Sequence, residues 1–190
     1  MITKRHPYIL LFASFIGLFA SIKLIIEKIA VLADSSYVPS CDINPVLACG
    51  SVINTPQAAF FGFPNPIIGI IGFTAVFVLA VLFLFKIPLP SFIPIGLLFG
   101  SILGFFFICY LIYQSLYTIS ALCPWCMVVW ASLLIILWQN IVYAAKTNVF
   151  NLPTRFTAVI VILDWFILAS FFLIIIGLIF LNWIDFWLGW

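Results

Sequence analysis

The chain has 190 residues, 67% of them hydrophobic and only 6% charged, with a mean hydropathy of +1.39. Soluble domains are about half apolar and about a quarter charged, so a water-soluble globular protein is excluded. A single integral membrane domain over residues 1–190 is expected, because little polar sequence separates the apolar runs. The net charge of +2 comes from scattered basic residues, which excludes the clustered footprint of a nucleic-acid-binding protein.

A helix needs about 20 apolar residues to cross roughly 30 Å of hydrocarbon. Five segments meet that length: 7–32, 66–85, 92–117, 123–145 and 156–181. Backbone groups in lipid must bond internally, so each is predicted to be helical and the fold class is an all-α membrane protein. The basic start MITKRH resembles a signal peptide, but the apolar run is long and no A-x-A site ends it, so it reads as the first span.

If the chain crosses at every span, Lys4, Arg5, Lys86, Lys146 and Arg155 all fall on one side, which the positive-inside rule assigns to the cytoplasm. The opposite side carries a loop over 33–65, the TISAL turn before Cys123, and the C-terminal WIDFWLGW with its interfacial tryptophans. Lys23 and Lys28 lie against the rule and read as an outer extension of the first helix, with Lys23 and Glu27 spaced i, i+4 for pairing. Asp164, inside the fifth span, calls for a bonded interhelical contact. Tyr110, Tyr113, Gln114 and Tyr117 share one helix face, suited to bundle packing and an interfacial belt or to lining a cavity.

Of the five cysteines, Cys109 stands alone in an apolar helix and reads as a small buried hydrophobe. Cys41 and Cys49 fall in the outer loop, while Cys123 and Cys126 open the fourth span at the same surface. Pro124 suits a first helical turn, and the free N–H groups there favour a thiolate. Four thiols on an oxidising side can form or exchange disulfides. Static disulfide staples and a zinc held by four thiolates use the same residues, although the Cys-x7-Cys spacing is wide for a zinc knuckle. A transporter of reducing equivalents would need cysteines reachable from the inner side, where only Cys109 is remotely placed.

CDINPVLACGSV (41–52), TPQAAFFGFPNPIIG (55–69) and CPWC (123–126) together resemble the vitamin K epoxide reductase family, in its bacterial branch, whose members act in a DsbB-like way. The resemblance implies a four-helix bundle around a quinone, with the fifth helix peripheral. It implies a thiol:quinone oxidoreductase in a bacterial cytoplasmic membrane that reoxidises a thioredoxin-fold, DsbA-like partner, expected to be a separate protein since the chain stops at Trp190. Electrons would pass from that partner to Cys41 and Cys49, across a transient bridge from Cys49 to Cys123, and from Cys126 to ubiquinone or menaquinone. First attack by the partner is assigned to Cys41.

By the same motif match, Asn65 is a hydrogen-bond donor to a quinone carbonyl, with capping of the second span as its other reading. Phe61 is a pocket aromatic, and Phe60, Phe61 and Phe63 belong to a surface lid. Thr55 stands where animal members have a serine and helps seat the quinone, or else forms a turn before Pro56. Trp130 replaces a tyrosine of animal members, keeping an aromatic wall without a hydroxyl, which favours simple quinone reduction over epoxide chemistry. The chain is expected to act as a monomer and to hold no metal.

Overall fold

The computed structural model describes residues 5–34, 36–147 and 153–188, apart from the side chains of Thr154 and Phe156. Lys4, Gly189 and Trp190, used above for topology, lie outside them. Five helices are long and apolar enough to cross a membrane, and the described residues contain no strand. Three of the long helices carry proline at one of their first two positions: α1 (His6–Ala33), α3 (Pro66–Leu84) and α5 (Pro124–Lys146). Proline loses nothing there, since the N–H it lacks has no helical partner. A short α2 (Cys49–Ile53) and a 3-10 turn (Pro56–Ala59) lie in the loop between α1 and α3.

α1 and α3 run antiparallel. His6 meets Phe83, Leu10 and Ala13 pack with Val76 and Ala80, and Gly17 faces Phe73. A Cβ on Gly17 would stand 2.5 Å from the Phe73 ring, so glycine lets the two backbones close where lipid offers no hydrophobic drive. α5 crosses α1 through His6 on Tyr143 and Phe19 on Trp125. It meets α4 (Phe92–Tyr113) where Gly104 admits Leu133 and where Asn140 Nδ2 donates to Ser101 Oγ at 3.3 Å. α3 ends in a Schellman turn: Lys86 adopts a left-handed φ of 55°, and the Ile87 N–H returns to the Leu82 carbonyl at 3.1 Å. Lys86 therefore shares one end of the bundle with Arg5 and Lys146, the two cations that line a small cavity of about 190 Å³ with Asp164.

Four features depart from the sequence-based expectations. The third span, expected as one regular helix over 92–117, is α-helical only to Tyr113 and continues as a π-turn over Gln114–Ile119. Ser120 at φ 54° ends it, tied through the Ser115 hydroxyl to the Ala121 carbonyl. The fifth span, expected unbroken over 156–181, splits at Leu163 into α6 (Thr154–Ile162) and α7 (Asp164–Asn182). A carboxylate at membrane depth needs a donor, and the break turns Asp164 onto the Trp138 indole N–H at 2.5 Å, the interhelical contact expected of it.

Glu27 does not turn to Lys23 but is held by the Tyr37 hydroxyl at 2.9 Å and by the hydroxyl and N–H of Ser40. Three short-range donors from the loop outbid one flexible ammonium. Cys109 is exposed on the outer face of α4 rather than buried, because Ile108 and Ile112 take the inward positions of that helix.

α7 packs against the outside of α5 and α4 through Leu168 and Ile179, and Asn182 Nδ2 donates to the Leu116 carbonyl. Its apolar window is only 11% buried, against 50% for α5, which marks α7 as peripheral and α5 as central. A short α8 (Ile184–Leu188) follows. Helices α1, α3, α4 and α5 surround a cavity of about 880 Å³.

Candidate redox site

The loop before α3 is built from short side-chain caps. Asn44 Oδ1 accepts the N–H groups of Val46 at 3.0 Å and Leu47 at 2.7 Å, which closes a turn at the Asn-Pro dipeptide. Asp42 Oδ1 accepts the Gly50 N–H at 2.8 Å, and a Cβ on Gly50 would stand 2.8 Å from the other Asp42 oxygen. A side chain at residue 50 would have to displace the Asp42 carboxylate that holds the residue's own N–H, and this close approach directly follows Cys49.

This folded loop is then fastened to the start of α5. Leu47 and Leu122 form an isolated parallel bridge, with Ala48 N–H donating to the Leu122 carbonyl at 2.9 Å and Leu122 N–H to the Val46 carbonyl at 2.7 Å. Ala48 and Leu122, joined by one of these bonds, each immediately precede a cysteine of the site. Cys49 forms a disulfide with Cys41. The Cys123 thiol donates to Cys49 Sγ at 3.1 Å. Both Cys49 and Cys123 are fully buried, and Cys41 is 5% exposed.

Cys123 is the N-cap of α5, in extended conformation (φ −104°, ψ 115°), and its Sγ accepts the Cys126 N–H at 3.4 Å. Its pKa lies below the ordinary thiol value, first because the Cys126 thiol hydrogen-bonds to it. Burial opposes this, while the N–H groups of Cys126 and Trp125 reinforce it. Cys126, half-buried one turn further on, lines the large cavity, whereas Cys123 does not. The CxxC therefore faces two ways, with one sulfur on the loop disulfide and the other on the space between the helices.

The remaining expected site residues all line that cavity: Thr55, Phe61, Asn65 and Trp130. Their hydrogen bonds differ from the expectations in instructive ways. Asn65 makes no side-chain cap to α3; its Nδ2 donates to the Gln57 carbonyl at 2.7 Å and its Oδ1 accepts the Phe60 N–H at 3.0 Å, locking the turn that carries the aromatic lid. The Thr55 hydroxyl donates to the Val52 carbonyl at 2.7 Å, the turn reading for that residue. Phe60 and Phe61 pack on Phe107, and Phe60 also on Tyr110 of α4. Trp130 is a buried wall. The tyrosine stripe divides: Gln114 lines the cavity while Tyr113 and Tyr117 are exposed as a tilted pair.

Cys41, Asp42 and Cys49 bring their sulfur and oxygen atoms within 4.8 Å of one another. With the two sulfurs bonded to each other, the group has no thiolate to offer a metal. Sequence reasoning missed the bridge through Leu47 and Leu122, which carries no side-chain signature, and Lys28, which also lines the cavity. The Asn-Pro dipeptide at 44–45 was the available signal for the loop turn.

A bundle of membrane-length helices that presents a disulfide, a contacting thiol and a second thiol on an internal cavity defines a membrane thiol oxidoreductase. The sequence matches the vitamin K epoxide reductase family over residues 8–141, well over half of the chain, and the protein belongs to that family. No curated protein matches the chain.

Proposed function

We propose that this protein reoxidises a separate thioredoxin-fold, disulfide-inserting partner and passes the electrons to a membrane quinone, ubiquinone or menaquinone, in a bacterial cytoplasmic membrane. The observation that carries this reading is the line of sulfurs, from the Cys41–Cys49 bond, across 3.1 Å to Cys123, to Cys126 on the cavity wall.

A partner thiolate attacks Cys41 and breaks the loop disulfide; the partner's second thiol resolves the mixed disulfide and leaves Cys41 and Cys49 reduced. Cys49 then attacks Cys123 of an oxidised CxxC and expels Cys126 as thiolate. Cys41 attacks Cys49 in the new Cys49–Cys123 bond, restoring the loop disulfide and releasing Cys123. The bonding pattern observed, with Cys41–Cys49 joined and Cys123 and Cys126 free, matches the end of this exchange. The hydrogen bonds that lower the Cys123 pKa favour it as the leaving thiolate.

Re-forming the Cys123–Cys126 bond gives up two electrons and two protons. A quinone, when bound, accepts both and leaves as hydroquinone. The direction is consistent with energetics, since disulfide-inserting partners stand near −120 mV in the best-studied type and thiol buffers are too reducing to reoxidise them. A cavity of about 880 Å³ suits such a ligand. Trp130 and Phe61 form aromatic wall, and Asn65 Nδ2 keeps one N–H beyond the one given to Gln57. The end of the bundle that holds Arg5, Lys86 and Lys146 is assigned to the cytoplasm, which leaves the cysteines on the outer side.

The test is purified Cys126→Ser protein supplied with reduced partner and quinone. Hydroquinone formation should fall to background, and undiminished formation would refute the reading. Labelling of Cys126 by a membrane-impermeant reagent from the cytoplasmic side alone would overturn the orientation.

A further inference from the structure

The wall of the large cavity carries one fixed charge. Among its lining residues Lys28 is the only Lys, Arg, His, Asp or Glu. It stands near the end of α1, half-buried, and its Nζ donates to the Ile53 carbonyl at 2.8 Å and to Asn54 Oδ1 at 3.4 Å. An ammonium has three N–H donors, so one is left uncommitted. Capping the last carbonyl of α2 does not need a cation, because any neutral donor could do it. A cation kept on the wall of an otherwise uncharged cavity therefore asks for a functional reason.

The surroundings supply one. Leu24, one helical turn before Lys28, and Ile53, whose carbonyl Lys28 binds, pack in the same cluster as Cys49, Cys123 and Cys126. Thr55, Gln57 and Asn65 line the cavity at this loop end and Gln114 and Ser115 line it from the π-turn after α4, while the stretch along Gly72, Leu79, Gly96 and Gly100 is apolar apart from Ser101. Lys28 and Cys126 thus border the loop end of a cavity whose far portion is mostly apolar. Delivery of electrons from a thiolate to a quinone puts negative charge on carbonyl oxygen, which a low-dielectric site tolerates only beside a positive charge or a proton donor.

We infer that Lys28 is the charge-stabilising group for quinone reduction, an inference that rests on the thiol:quinone reading. When the Cys123–Cys126 bond closes, two S–H bonds break, one S–S bond forms, and the two electrons and two protons end on the hydroquinone. Lys28 hydrogen-bonds the developing oxyanion and keeps its own proton, while both protons on the hydroquinone come from the two thiols, so it ends each turnover unchanged.

The experiment compares wild type, Lys28→Gln and Lys28→Arg in three measurements: reduction of the loop disulfide by the partner, binding of quinone to the oxidised protein by tryptophan quenching, and hydroquinone formation. Glutamine retains a donor for Ile53 without the charge; arginine retains both. Loop exchange should be unchanged in all three proteins, and quinone binding by the glutamine variant should stay within about threefold of wild type, because the charge appears only on reduction. Its kcat for hydroquinone formation should fall roughly tenfold to hundredfold, and arginine should restore most of it. Wild-type kcat in the glutamine variant would reduce Lys28 to a cap on α2, and a parallel loss of loop exchange and kcat would assign it a structural role; either result overturns the inference. If the wild type itself forms no hydroquinone, the parent reading fails and this one with it.

Discussion

The Ala48 N–H donates to the Leu122 carbonyl at 2.9 Å, and each of these residues immediately precedes a cysteine of the 3.1 Å sulfur contact. A backbone bond holds its ends more tightly than any side-chain contact here, having no rotamers to fix. The two sulfurs, 74 residues apart in sequence, are positioned by main chain.

The loop turn that supports this bridge hangs on one side chain. Asn44→Ala leaves the N–H groups of Val46 and Leu47 without their acceptor and should cost about 1–2 kcal/mol of stability. Thermal unfolding in detergent checks the loss, and stopped-flow exchange between loop and CxxC should slow with it.

The contact itself predicts a specific cross-link. With Cys41→Ser and Cys126→Ser combined, Cys49 and Cys123 keep only each other at 3.1 Å. Mild oxidation should give a Cys49–Cys123 disulfide, read by peptide mapping under non-reducing conditions. Recovery of Cys109 in the cross-link instead would contradict the arrangement.

The lowered pKa of Cys123 has a signed consequence. In the reduced protein it adds stability that is present above the ordinary thiol pKa of about 8.5 and is lost as pH falls through the lowered value. Ultraviolet titration of thiolate should show a transition below the ordinary value that disappears in Cys123→Ser.

Glu27 accepts from Tyr37 and Ser40 and so pins the segment that runs into Cys41, itself only 5% exposed. Glu27→Ala should free that segment at a cost of about 1–3 kcal/mol. The rate at which a small dithiol reduces the Cys41–Cys49 bond should rise several-fold, whereas an unchanged rate would mean that the segment does not shield the disulfide.

Gly100 lines the large cavity and a Cβ placed on it meets nothing within 4 Å. Gly100→Leu should therefore fold normally, yet raise the KM for a long-tailed quinone by about tenfold, with partner oxidation of the loop unaffected. Gly17→Leu, by contrast, would strike Phe73 and should unfold the α1–α3 contact.

The five spans were legible in the residues because lipid leaves each crossing segment one way to bond its backbone, so an apolar run of sufficient length implies a helix. The helix start at Cys123 was equally readable, from Pro124 and the N-cap position. Family motifs pointed to Thr55, Phe61, Asn65 and Trp130, and all four line one cavity. What the string of letters could not reveal was partner choice: Glu27 reads as a mate for Lys23 by spacing, but the loop brings three donors from Tyr37 and Ser40 to it. The break at Leu163 is of the same kind, since it exists to serve the Trp138 indole on another helix.

Composition and local pattern by themselves determined that this is a helical membrane protein with two cysteine pairs, because hydropathy, proline position and spacing act within a few residues along the chain. The family resemblance implied that Cys49 meets Cys123 and that Cys126 faces a quinone; tertiary structure brought Cys49 to 3.1 Å from Cys123 and set Cys126 on the cavity wall, and it alone decided that Lys28 lines the same cavity. Those facts depend on which backbone groups of a loop pair with the start of a helix dozens of residues later, and a non-local pairing of main-chain N–H and carbonyl groups leaves no mark on the side chains that carry it.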